Sequence, residues 1–396
     1  MRVQRGLWTS LLQAGLILLN FIGTGAFADP STPVHLVRTP EGGLQPQAAV
    51  DSQGNVHLVF LAGDPKAADV MYSVRKRGET AFGPPVQVNH ERGDAIALGT
   101  VRGVQLALGR NDRVHVVWNG SQPARDKGAK GAPMLYTRLA DGGVRFEPER
   151  NLMTATMNLD GGGSVAADPR GNVYVVWHAH ARTGPDDETH RAVYLARSTD
   201  DGATFGPERK LNVGEAGVCG CCGLKTFADE RGQLAILYRS ADEVGNRDSM
   251  LLVSQDHGNS FESTLLGAWR SSTCPMSTPA LGVGPEKTLL AMWETQGQVF
   301  YRALTAGHLS SAAPASAPDN SPGDRKHPVF ALSSAKNSRL LMAWVEGTGW
   351  EKGGALVWEC LDLQTKTKST GRQSGVPAWD RATAFPEPDG TFTIVY

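Results

Sequence analysis

A short apolar run ending in an aromatic residue occurs seven times in this 396-residue chain. The runs are V-H-L-V-F (Phe60), V-H-V-V-W (Trp118), V-Y-V-V-W (Trp177), L-A-I-L-Y (Tyr238), L-L-A-M-W (Trp293), L-L-M-A-W (Trp344) and F-T-I-V-Y (Tyr396). Successive aromatics lie 58, 59, 61, 55, 51 and 52 residues apart. Runs this short and rich in β-branched and aromatic residues read as strands. A period of fifty-odd residues leaves room for about four strands per unit, the pattern of a β-propeller.

The rest of each unit agrees. Before the aromatic strand comes a turn such as D-S-Q-G-N, D-P-R-G-N or D-E-R-G-Q, whose glycine permits a tight reversal. Ahead of the turn lies a strand of small residues (Q-A-A-V, G-S-V-A-A, T-P-A-L-G-V), suited to the crowded axis. A third strand follows the aromatic one, as in V-M-Y-S-V or A-V-Y-L-A, and a fourth is visible as P-V-Q-V-N, P-E-R-N-L and P-E-R-K-L-N. We letter these strands A to D from the axis outward. The expectation is an all-β fold, a single β-propeller of four-stranded antiparallel blades, with seven blades favoured over six. The seventh unit stops on its B strand, so P-V-H-L-V-R (33–38) is expected to close the ring as a D strand of that last blade, leaving no open edge. The Ala/Ser/Pro-rich stretch 311–322 reads as a long connection.

Residues 1–28 have the form of a secretory signal. Arg2 and Arg5 precede the apolar L-L-Q-A-G-L-I-L-L-N-F-I, and A-F-A stands before Asp29 as a cleavage site. The apolar run is too short to span a bilayer comfortably, so no membrane anchor is expected. The propeller is then 29–396, exported to the periplasm or secreted. Losing two arginines takes the formal charge from −1 to −3, too mild to suggest nucleic acid as a partner. A monomer with a glycan or small-molecule ligand is the expectation.

Between strands C and D, units three and four carry S-T-D-D-G-A-T-F (Ser198, Asp200, Gly202, Phe205) and S-Q-D-H-G-N-S-F (Ser254, Asp256, Gly258, Phe261). Both match the Asp-box, or BNR repeat, S-x-D-x-G-x-[TS]-[FW], and the chain thereby resembles the sialidase (neuraminidase) superfamily as a non-classical member. The resemblance implies that these boxes are structural and lie opposite the active face. It also implies a carboxylate site of three arginines, a tyrosine nucleophile activated by a glutamate, and an aspartate acid/base. This chain departs from that pattern: Gly43-Leu44-Gln45-Pro46 stands where the family's first arginine precedes its proline, and no Tyr–Glu pair is identifiable. Remaining candidates for an anion site are Arg102, Arg270, Arg325 and Arg381, with Asp94 or Asp160 as acid if the chain were an exo-acting glycosidase of the exo-alpha-sialidase type. The leading expectation is a ligand- or glycan-binding propeller.

The cysteines are a feature the family pattern does not supply. G-V-C-G-C-C (Cys219, Cys221, Cys222) is the D–A connection into blade four, and S-S-T-C-P-M (Cys274, Met276) is the D–A connection into blade five. Adjacent D–A loops share a face, which the B–C loops also reach. The blade-three B–C connection brings His178, His180 and His190 to it. Three readings stay open: a disulfide clasp, the default for an exported chain; a copper or zinc site using cysteine with histidine or Met276; and a reactive thiol. Cys360, in the sixth C strand, reads as a buried apolar residue.

Overall fold

The computed structural model describes residues 34–125, 131–143, 145–211, 216–305, 317–318, 323–333 and 338–396. The segment read as a signal and most of 311–322 lie outside them. The described strands form seven separate sheets, and the A strands neighbour one another in a closed circuit. Seven blades, not six, make the wheel.

Blade one runs Leu44–Val50, Val56–Asp64, Ala67–Arg75 and Val86–Gln87. In blade four the order is Lys225–Ala228, Leu234–Ala241, Ser249–Ser254 and Glu262–Gly267, with Gly217–Val218 added beside the end of the B strand. Blade five shows three strands among the described residues, Ala280–Val283, Leu289–Thr295 and Gln298–Leu304.

The seventh blade corrects one expectation. Val34–Val37 does close the ring, but it pairs directly with the B strand Phe392–Val395, parallel and in register from Val34↔Phe392 to Val37↔Val395. It therefore sits in the third position, not the fourth. A terminal segment is free to enter from either direction, because no hairpin dictates its polarity.

The unbroken apolar B strands follow from how blades stack. Every B strand is covered on both faces, so alternate residues serve two neighbours. In blade three, Val173, Val175 and Trp177 pack with Val117, Met134 and Tyr136 of blade two. Tyr174 and Val176 face Ile236 and Tyr238 of blade four. The same alternation carries through Leu237 to Trp293, Met292 to Trp344, and Leu341 to Ile394. The aromatic that ends each B strand is the plug between its blade and the preceding one, and Phe60, Trp118, Trp177, Tyr238, Trp293, Trp344 and Tyr396 are all buried. Cys360 is buried there too, as expected.

Two faces result. The A–B and C–D turns form one, which we term the turn face; the D–A and B–C connections form the other, the loop face. On the turn face Asp51, Asp168 and Asp229 fold their turns alike. Asp168 Oδ1 accepts from the Arg170 and Asn172 amides at 2.9 and 3.0 Å. Both S-x-D-x-G turns of the resemblance also fold alike: Ser198 Oγ accepts from Gly202 N at 2.9 Å, and Ser254 Oγ from Gly258 N at 2.7 Å. Hydrogen bonds from Thr204 hold the Asp200 carboxyl down at about 2.

Candidate functional site

The A strands begin on the loop face, and small residues there leave space around the axis. A cavity of about 320 Å³ results, lined by all seven blades. Its polar walls include Gln47, Gln105, Lys225, Thr278 and Arg381, and no carboxylate is among the lining residues. Lys225 Nζ donates to Gln105 Oε1 at 2.7 Å. Burial, with the Arg381 charge nearby, pushes the Lys225 ammonium down to about 7. Arg381 is more deeply buried; its guanidinium donates to Thr100 O at 3.2 Å, and burial lowers it to about 10 despite neighbouring Asp380. Gly103 leaves room for both side chains, since a Cβ there would lie 2.3 Å from Arg381 Nη2 and 2.7 Å from Gln45 Oε1 and force them to shift.

Gln45, next to the Leu44 position where the resemblance looks for its first arginine, is fully buried. Its amide N–H donates to Asp380 Oδ1 at 2.6 Å and its side-chain Nε2 to Ala97 O at 2.7 Å. Burial raises Asp380 to about 6. Gln45 Oε1 and Asp380 Oδ2 stay buried without a hydrogen-bond partner among the described residues, as does His327 Nε2.

Beside the axis lies a recess of about 260 Å³ between blades two and three, lined by Arg102, Arg125, Arg191 and Asp160. Arg102 Nη2 donates to Asp160 Oδ1 at 2.5 Å, with further bonds to Asp160 O and Leu98 O. Arg191 Nη1 donates to Asn158 O at 2.5 Å while its Nε stays unpartnered.

Of the other arginine candidates, Arg270 is exposed. Arg325 is buried, bonded to Glu346 at 3.0 Å and stacked over Trp344. Asp94 is buried, and burial with the Glu149 charge raises it to about 8. The four arginines thus do not converge on one point. Sequence reasoning missed Lys225, Arg125 and Arg191. Lys225 left a signal, a charged residue opening an otherwise uncharged A strand, Lys225–Ala228.

The cysteines do converge. Cys221 and Cys274 form a disulfide with Cα atoms 6.3 Å apart, joining blades four and five. Cys219 and Cys222 are free and buried. The sulfurs of Cys219, Cys221 and Cys222 lie within 4.8 Å of one another, close enough to ligate one ion once the Cys221–Cys274 bond is reduced. The histidines turn elsewhere. His178 Nε2 lies 3.1 Å from Cys222 O, and burial with the Arg191 charge keeps its imidazole neutral, its pKa pushed down to about 3. His180 Nε2 lies 2.8 Å from Asp187 O, and exposed His190 pairs with the Asp187 carboxylate at 2.8 Å. Met276 is half-buried with φ 50°. A metal here would rest on thiolates, which suit copper(I) or zinc.

No protein-family model and no curated protein sequence matches this chain. Solved structures do. A protein of unknown function from Dyadobacter fermentans aligns at TM-score 0.56 and 16% identity, over 81% of this chain and 94% of its own. An alpha-L-arabinanase from Penicillium chrysogenum, complexed with arabinobiose, aligns at 0.54 and 13%, over 82% and 94%. A Hadza microbial sialidase aligns at 0.51 and 14%, over 83% and 71%. At these identities the likeness is one of architecture. The chain has the β-propeller fold that sialidases and an arabinanase share, with a cysteine cluster set on its loop face.

Proposed function

We propose that this chain is an exported ligand-binding propeller that takes a small anionic molecule, acidic sugars being one fitting class, in the axial cavity of its loop face. The observation that carries this reading is the cavity of about 320 Å³ with Lys225 and Arg381 in its wall and no carboxylate. A cation in the wall of a half-open cavity is less screened than one in open solvent and attracts an anion more strongly. Beside that mouth Gln45, Asp380 and His327 keep buried polar atoms without partners among the described residues, although none of the three lines the cavity. The Cys221–Cys274 bridge holds the blade-four and blade-five walls of that mouth together.

The test is calorimetric titration with a panel of uronic and sialic acids and their neutral counterparts. Binding of at least one acid is expected, with affinity falling several-fold from pH 6 to pH 8 as Lys225 loses its proton. Lys225→Met should abolish the pH dependence. Equal binding of neutral and acidic sugars would overturn the reading.

A second reading is favoured by one observation, the three arginines and Asp160 gathered in the recess between blades two and three. That set matches the carboxylate site and acid which the sialidase resemblance implies. The lining includes no tyrosine or glutamate to act as nucleophile and activator. A fluorogenic sialoside assay decides: turnover lost in Asp160→Asn would establish a glycosidase.

A further inference from the structure

We propose that Cys219, Cys221, Cys222 and Cys274 form a thiol–disulfide exchange relay, in which a buried dithiol passes two electrons through a half-exposed disulfide to a disulfide-bearing substrate at the loop face. Cys219 Sγ stands 3.3 Å from Cys221 Sγ, inside van der Waals contact of a sulfur that is already disulfide-bonded. That is the approach a thiolate makes before exchange. Cys219 and Cys222 are 1% and 2% exposed, whereas Cys274 is exposed. Reducing equivalents are thus stored inside, and the accessible sulfur is the one that leaves.

The loop is held for this geometry by main-chain bonds to neighbouring segments. Cys219 N–H donates to Arg239 O at 2.9 Å, Gly161 N–H to Gly220 O at 2.7 Å and Gly223 N–H to Ser277 O at 3.1 Å. A Cβ on Gly161 would lie 2.2 Å from Cys222 O.

The exchange balances without any outside reagent. Cys219 thiolate attacks Cys221 Sγ, forming a Cys219–Cys221 bond and expelling Cys274 as a thiolate, which takes up the proton Cys219 released. Cys222 thiolate then attacks Cys219 Sγ, forming a Cys219–Cys222 bond and expelling Cys221. One disulfide and two thiols exist before and after. An incoming disulfide is next attacked by Cys274 to give a mixed disulfide, which Cys221 resolves, re-forming Cys221–Cys274 and releasing the substrate as a dithiol. Overall the Cys219/Cys222 dithiol is oxidised and one substrate disulfide is reduced per chain.

Peptide mapping tests this on the folded chain, purified without reductant in chelator-treated buffer and exposed briefly to iodoacetamide before acid quench. The relay places label on Cys274 and Cys221, with a Cys219–Cys222 bond in the same molecules. In Cys219→Ala that label should fall at least tenfold. In Cys222→Ala, the label should collect on Cys274 alone, with Cys219 bonded to Cys221. Should Cys219→Ala not fold, Cys219→Ser and the Cys222→Ala map still decide. Single-turnover reduction of hydroxyethyl disulfide, one equivalent per chain, is the matching readout. Label confined to Cys219 and Cys222 would overturn the relay, as would four unlabelled cysteines with Cys221–Cys274 intact. One equivalent of copper or zinc bound by reduced cysteines would overturn it as well.

Discussion

On the turn face Asp51, Asp168 and Asp229 each close a reversal in the same way, with carboxylate oxygens accepting main-chain amides two and four residues on. On the loop face the connections differ from blade to blade. There Gln45 Oε1, Asp380 Oδ2, His180 Nδ1, His327 Nε2 and Arg191 Nε are buried without partners among the described residues. The turn face has unpartnered atoms as well, but two of them, His115 Nε2 and Asp201 Oδ1, face each other at 3.5 Å. A buried polar group without a partner costs about 1–3 kcal/mol, so a fold keeps several together only where something else offsets them. The difference separates a face made for folding from one made for contact.

The largest effect should come from cutting the covalent tie across the loop face. Cys274→Ser opens a loop of 53 residues, and chain entropy sets an upper bound of about 4 kcal/mol on the loss. Urea unfolding measures it. A loss under about 0.5 kcal/mol would show that blade packing alone holds this face. On the opposite face, Asp168→Ala strips three hydrogen bonds from one turn and should cost about 2 kcal/mol in the same experiment. Ligand affinity should not change. A change in affinity would break the division of labour between the faces.

The smallest effect carries the sharpest sign. Folding lowers Lys225 from 10.5 to about 7, so between those values the unfolded chain holds a proton that the folded chain lacks. Stability therefore rises with pH across that window. Lys225→Met removes the slope. Its gain, about 1–2 kcal/mol, should be full below pH 7 and fade towards pH 10.5. A variant less stable than the parent at pH 6 would mean that Lys225 supports the fold through its bond to Gln105 and is not held at a cost for a ligand.

Much of the architecture was readable because each blade repeats one message. Aromatics at the ends of the B strands, turns with glycine, and small A strands are local patterns, and seven of them in series leave little choice but a ring. The shared face of Cys274 and the Cys219–Cys222 group followed from strand direction alone. The binding cavity was much less legible. Lys225, Gln105 and Arg381 are separated by long stretches of chain, and no spacing rule links residues that meet only across a closed circle. Arg325 looked available in the sequence, but burial and Glu346 claim it.

The order of strands within a blade and the face on which each loop emerges were set by the linear pattern, which favoured seven blades without excluding six, because alternation and turn chemistry act between near neighbours. Which cysteine bonds to Cys274, how Val34–Val37 enters the last blade, and which charges meet at the axis were settled only by tertiary structure. Those outcomes depend on distances of a few ångströms between segments that the chain brings together last, and short-range patterning carries no information about them.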